Sequence, residues 1–206
     1  MDIKTAAHPP PTFHLTLTTD RPTARDLLKA LLHTIFFHRV FTALTPATHD
    51  VLDLTLPYVS DDEIEAVIEK RTGAFVRYLD NGGNGGGGSG TDGHEAGGAG
   101  GGGNSKATLT LHFLEKKRRK GWFVAKADEE TIWETWVITL SLLPSAGGSG
   151  GGGIAGERNR ALMEKSLQEA VMRVIDVANS EKGHIPPITS TETNPFPFQI
   201  LVGGRG

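Results

Sequence analysis

The residues able to do chemistry in this chain are few, and most do not converge. The histidines are His8, His14, His33, His38, His49, His94, His112 and His184. No pair has the i, i+4 spacing that places two imidazoles on one helix face around zinc, and His33 and His38, five apart, diverge around a helix. They read as surface or core-edge histidines, and no metal or other cofactor is expected. With no cysteine, thiolate catalysis, disulfide frameworks and cysteine-based metal sites are excluded. No Ser/His/Asp set lies in recognisable turn context. The carboxylates at Asp61-Asp62-Glu63 and Asp128-Glu129-Glu130 read as solvated acids. Gly85 to Gly90 matches a phosphate-loop pattern only by low complexity, without a lysine or a strand–turn–helix setting. No catalytic set emerges, and the chain does not read as an enzyme.

One cluster stands apart. Lys116, Lys117, Arg118, Arg119 and Lys120 are followed by Gly121, Trp122 and Phe123. Five consecutive cations are suited to nucleic acid, an anionic membrane or an acidic partner; they also serve simply to keep a hairpin end in water. The whole chain has a formal net charge of -3 and a pI near 6.2, which argues against a general nucleic-acid binder. The aromatic pair changes the weighing. Trp122 and Phe123 lie between a glycine and the polar run Lys126–Glu130, where no core is at hand. They either fold back on the body or are offered to a partner, aromatic side chains being common interface anchors.

The elements that position this cluster are two alternating runs. Leu109, Leu111 and Phe113 precede it, and Ile132, Glu134, Trp136, Ile138, Leu140 and Leu142 come after it. Period-two alternation predicts two half-buried strands joined as a hairpin. Upstream, Thr12 to Thr19 alternates Phe13, Leu15 and Leu17 and predicts a strand. A helix follows from Thr23, with Asp26 at capping-box spacing, to about Val40. Its broad apolar surface (Leu27, Leu28, Leu31, Leu32, Ile35, Phe36) requires a sheet on one side and further cover. Val51 to Val59 predicts a second strand, with Pro57 at an edge or a strand end. Ser60 to Glu63 has the form of a capping box opening a second helix, striped by Ile64, Val67, Ile68, Phe75 and Leu79. After the hairpin, Glu157 to Asn179 predicts a third helix. The proline-punctuated tail to Ile200 is apolar enough to lie along the body as extended chain.

At 206 residues with 27 glycines concentrated in two tracts, the chain fits one domain over 12–202. The glycine-rich stretches, 81–105 and the part 146–156 of Pro144–Gly156, are expected to be disordered loops within it. The N-terminus lacks a signal-peptide core, and no run approaches a membrane span. The expected class is α+β with mostly antiparallel strands, in a soluble intracellular protein.

Four stretches carry a resemblance to a known family. Leu31-Leu32-His33-Thr34-Ile35-Phe36-Phe37-His38-Arg39 is similar to a first-helix signature. Leu111 to Lys117 with Trp122-Phe123 and Trp133-Glu134-Thr135-Trp136 is similar to a strand–finger–strand run. Val174 to Asn179 with His184-Ile185-Pro186, and Pro195 to Ile200, are similar to the third-helix exit and C-terminal segment. In this order they resemble the autophagy-related protein 101 family. The resemblance implies a HORMA domain: an antiparallel sheet packed against three helices, with a β-hairpin finger. It implies a non-catalytic cytoplasmic adaptor acting at the phagophore assembly site. Such an adaptor pairs with and stabilises the HORMA domain of autophagy-related protein 13 and recruits downstream autophagy factors through Trp122 and Phe123. Membrane contact would be indirect or weak and nucleic acid would not be a partner. The alternative is a nucleic-acid or anionic-membrane binder working through Lys116–Lys120.

Overall fold

The computed structural model describes residues 9–42, 45–80, 106–117, 129–144, 153–188 and 194–203. In chain order the elements are β1 (Thr12–Thr19), α1 (Ala24–Arg39), β2 (Pro46–Val51), β3 (Leu54–Val59), α2 (Asp62–Asp80), β4 (Lys106–Lys117), β5 (Glu129–Leu142), α3 (Ile154–Ser180) and β6 (Phe198–Val202). The architecture is α+β.

The main sheet has the order β1-β5-β4-β6. β4 pairs antiparallel with β5 and with β6, but β1 pairs parallel with β5 from Thr12↔Thr135 to Thr19↔Leu142. The main sheet is therefore mixed: mostly antiparallel, as the residue pattern predicts, but not the antiparallel sheet that the resemblance implies. A parallel neighbour requires a long crossover, and α1, β2, β3 and α2 all lie between β1 and the β4–β5 pair.

Alternation is obeyed where one sheet face is buried. Leu15 and Leu17 on β1, Leu109, Leu111 and Phe113 on β4, and Trp136, Ile138 and Leu140 on β5 are all buried. α1 is the central element. It packs against β1, β3, α2 and α3, so Ala24, Leu27, Leu28, Leu31, Leu32, Ile35 and Phe36 are buried around most of its circumference. A helix apolar nearly all round is one covered on several sides. β2 and β3 form a separate two-stranded sheet against α1.

Several local expectations change. The segment from Val51 is not one strand: Val51 ends β2, and β3 begins at Leu54, with Val51↔Leu54 the last rung. Leu52 turns the corner at φ 56°, a left-handed conformation unusual for a leucine. β2, reading PATHDV, carries no apolar alternation and so gave no strand signal. Asp61, not Ser60, caps α2: its Oδ1 accepts from the amides of Glu63 (3.1 Å) and Ile64 (3.0 Å). Thr23 makes no side-chain cap on α1; its amide instead donates to Asp20 Oδ1 at 3.0 Å. α3 starts at Ile154, so residues 154–156 of the expected loop are its first turn, opened by Gly153, whose carbonyl accepts from the amides of Gly156 and Glu157. The tail forms a true strand, β6, on the edge beside β4. The stretch 81–105, expected to be disordered, lies outside the described residues.

Candidate functional site

The β4–β5 hairpin outruns its own sheet. β1 meets β5 only from Thr135 onward, and the β6 register on β4 stops at Phe113. Among the described residues the rungs Leu114↔Ile132, Glu115↔Thr131, Lys116↔Glu130 and Lys117↔Glu129 have strand partners only in each other, with the Leu114 amide also donating to the Pro197 carbonyl (2.8 Å). They form a two-stranded ribbon projecting past the sheet. Its register sets Lys116 opposite Glu130, the favourable sign for cross-strand neighbours. Of the expected site residues, Lys116 is exposed at the end of β4, and Lys117 occupies its last position. Arg118, Arg119, Lys120, Trp122 and Phe123 lie outside the described residues.

The base of the ribbon is marked by a β-bulge. Phe113 pairs with Glu134 and the next residue, Leu114, with Ile132, so Trp133 is the extra residue on β5. A bulge bends its strand and re-aims the side chains beyond it. Here it also lets Trp133 be buried next to Glu134. The Trp133 ring lies 5.1 Å from Phe196, 5.7 Å from Phe113 and 5.7 Å from His184, centroid to centroid.

Beside it sits a buried charge cluster. Glu134 is 0 % exposed and Arg39 2 %. Arg39 Nε lies 2.9 Å from both carboxylate oxygens. Trp136 Nε1 donates to Oε1, and His184 Nε2 lies 2.7 Å from Oε2. An ionised carboxylate only accepts, so His184 carries its proton on Nε2. The Arg39 guanidinium also donates to the carbonyls of His38 (3.4 Å) and Glu181 (3.3 Å). The cluster thus ties together the end of α1, the bulged start of the β5 core run and the turn after α3. A buried ion pair is tolerable only when its remaining valences are met, as they are here. Sealed from solvent and neutralised by Arg39, this carboxylate has no access to a substrate proton and works as a clamp.

A second buried polar group lies at the β3 side of α1. His33 is 2 % exposed, in the core and not at its edge. Its ring stacks on Tyr58 at 3.9 Å, and its Nδ1 accepts from the Val59 amide at 3.4 Å. Burial first, then the charges of Lys29 and His49, push its pKa down to about 4. Tyr58 is pushed up to about 12, by burial and then by its hydrogen bond to Glu65. Among the described residues no group of three His, Asp or Glu side chains could hold a metal ion. No helix among them is long and apolar enough to cross a membrane.

Sequence reasoning placed Glu134 within an apolar run but assigned it no partner. The signal was there: an acid on the core-facing parity of a strand, and an arginine ending an apolar helix. The motif stretches, far apart in the chain, meet at this point. Arg39 comes from the first, Trp133, Glu134 and Trp136 from the second, His184 from the third and Phe196 from the fourth.

Fold and site together define an α+β protein with a projecting two-stranded ribbon, clamped at its base by a buried Arg–Glu–His cluster. The family model of autophagy-related protein 101 matches residues 16–192. Autophagy-related protein 101 of Arabidopsis thaliana is 28 % identical over 194 residues, covering 86 % of this chain and 80 % of the relative. That of Schizosaccharomyces pombe is 24 % identical over 182 residues, covering 86 % and 79 %. The chain belongs to the autophagy-related protein 101 family, and membership implies a role in autophagy. Neither the family nor these relatives are named for a catalytic activity.

Proposed function

We propose that the chain is a non-catalytic adaptor of autophagy initiation, a HORMA domain that pairs with and stabilises the HORMA domain of autophagy-related protein 13. In this reading Trp122 and Phe123 recruit downstream autophagy factors at the phagophore assembly site, and Lys116–Lys120 keep the tip in water. The observation that carries the reading is the ribbon. Its outer rungs pair across the ribbon beyond the main sheet, and it carries Lys116 past the bulge and the clamp, with the finger sequence following directly in the chain. An exposed arm of this kind, with two aromatics in its tip sequence, suits capture of a partner.

The surface of α3 supports the pairing half of the proposal. Ile154, Leu162 and Met172 are exposed apolar residues, and at about 100° per residue they fall within about 80° of one another on the helix. The opposite face, including Met163, Leu167, Val171 and Val174, is buried. Exposed Arg158, Lys165 and Glu169 share that outer face, so what it offers a partner is a mixed apolar and charged surface.

The finger is tested by Trp122→Ala combined with Phe123→Ala. The double variant keeps its thermal midpoint and its pairing with the HORMA domain of autophagy-related protein 13, but captures less downstream factor in a pull-down. A fall of many degrees in the midpoint would instead make the two aromatics part of the core.

A further inference from the structure

Gly73 sits in the interior of α2, where a glycine weakens a helix relative to alanine. Two structural reasons could keep it there, and neither holds. Among the described residues only Leu52 and Gly203 have positive φ, so Gly73 has no need of glycine's backbone freedom. Nor does a neighbouring element close on it. A Cβ added there would meet two atoms within 4 Å, Arg77 Nη1 at 3.6 Å and Arg25 Nη2 at 3.7 Å. Both are ends of flexible side chains at ordinary contact distance. The missing side chain therefore leaves an open floor beneath two guanidinium groups, one from α1 and one from α2.

The charges around that floor are out of balance. Arg25 and Lys29, four apart on α1, share Glu69, with Lys29 at 2.7 Å. Arg21, just before α1, holds Asp80 at 2.8 Å. Arg77 is exposed and has no ion-pair or hydrogen-bond partner among the described residues. Lys70, exposed about one turn before Gly73 on the same side of α2, is likewise unpaired among them. Of the other acids nearby, Glu65 is engaged by Tyr58, and Asp26 lies about 100° round α1 from Arg25. Five cations thus meet two carboxylates, both already in use. Guanidinium groups held together in this way repel unless an anion joins them.

We propose that Arg25 and Arg77 together bind a phosphate group, carried on a phosphorylated serine or threonine of a partner protein, with the phosphate seated over Gly73. Both guanidinium ends reach the same point, and charge-assisted N–H···O bonds of about 2.7–2.9 Å let one tetrahedral anion span the two. A phosphomonoester brings three acceptor oxygens and close to two negative charges, enough to engage Arg77 and to hold Arg25 alongside Glu69. A single carboxylate serves one guanidinium. Arginine clusters are a recurring means of reading phosphorylated side chains. A lipid surface fits less well. Of the exposed large apolar residues described, none lies on α2 or on the first half of α1, so this face has nothing to bury in a bilayer. Glu69 and Asp80 also interrupt the positive field that a membrane would need. The site shares no residue with the ribbon, the clamp or the outer face of α3.

The test is a degenerate peptide library with a fixed phosphoserine or phosphothreonine, bound to the full chain beside its unphosphorylated copy, followed by titration of one selected phosphopeptide into the ¹⁵N-labelled protein. The phosphorylated library is expected to bind about tenfold tighter or more. The selected peptide is expected to shift the amides of Lys70–Arg77 and the side-chain Nε–H signals of Arg25 and Arg77. Arg77→Gln, which breaks no ion pair or hydrogen bond among the described residues, is expected to weaken binding about tenfold. Gly73→Ala is expected to keep or raise the thermal midpoint, because alanine suits a helix interior better, yet to weaken binding, because its methyl group occupies the phosphate's floor. A merely structural role for this face would not lower affinity in a variant of undiminished stability. The proposal is overturned if the two libraries bind alike, if Arg77→Gln and Gly73→Ala leave affinity unchanged, or if the shifts map elsewhere. Binding to vesicles of phosphatidylcholine and phosphatidylserine, with none to the phosphopeptides, would also overturn it and make the face a membrane contact.

Discussion

Arg39 Nε lies 2.9 Å from both carboxylate oxygens of Glu134, across 95 positions of sequence, and neither side chain reaches solvent. Removing one partner strands the other charge in the core. Glu134→Ala is expected to cost about 3–5 kcal/mol in urea unfolding, leaving Arg39, Trp136 and His184 without their acceptor. The double variant Arg39→Met with Glu134→Leu should recover a large part of that loss, because it strands no charge. A loss under about 1 kcal/mol for Glu134→Ala would mean that the cluster is open to water.

His33 makes stability depend on pH. Its folded pKa of about 4 lies below the ordinary 6.5, so between those values the unfolded chain binds a proton that the folded chain does not. Stability is therefore full above about pH 6.5 and falls as pH falls toward 4, by roughly 3 kcal/mol from this group. His38 and His112 are lowered too, chiefly by burial, and act in the same direction. His33→Asn keeps an acceptor near Nδ1 but does not titrate. Its stability will start lower and drop less between pH 6.5 and 4, measured by urea midpoints across that range. An unchanged pH slope would show that His33 already titrates normally in the fold.

The start of α2 distinguishes two capping residues directly. Asp61→Ala removes the acceptor of two amides and should cost about 1 kcal/mol, whereas Ser60→Ala should be nearly silent. The reverse ranking in thermal or urea denaturation would restore the capping box that the sequence pattern implies.

That reversal shows where the sequence was legible. Strands with one buried face were, since Leu15, Leu17, Leu109, Leu111 and Trp136 obey period two and sit in the core. So was α1, whose apolar surface was too broad for a single sheet. β2 was not, because a strand of a two-stranded sheet lying on a helix needs no alternation, and its turn rests on a left-handed Leu52 that no turn rule selects. The parallel placement of β1 was hidden because strand direction is set by the crossover through α1, not by any residue of β1. At the site, the ribbon could be read from alternation, but its bulge could not. Trp133 breaks the alternation by a register shift visible only when β4 is laid beside β5. The Arg39–Glu134–His184 cluster was hidden for the same reason, its members coming from three elements far apart in the chain.

The central claim is that this chain is an adaptor that works by pairing with a second HORMA protein. Size-exclusion chromatography with multi-angle light scattering on this chain mixed with the HORMA domain of autophagy-related protein 13 tests it most directly. At micromolar concentrations the account predicts one peak with the mass of a 1:1 complex. It also predicts loss of that peak when Leu162 and Met172 on the outer face of α3 are changed to glutamate. Two separate species at those concentrations, each at its own mass, would contradict it.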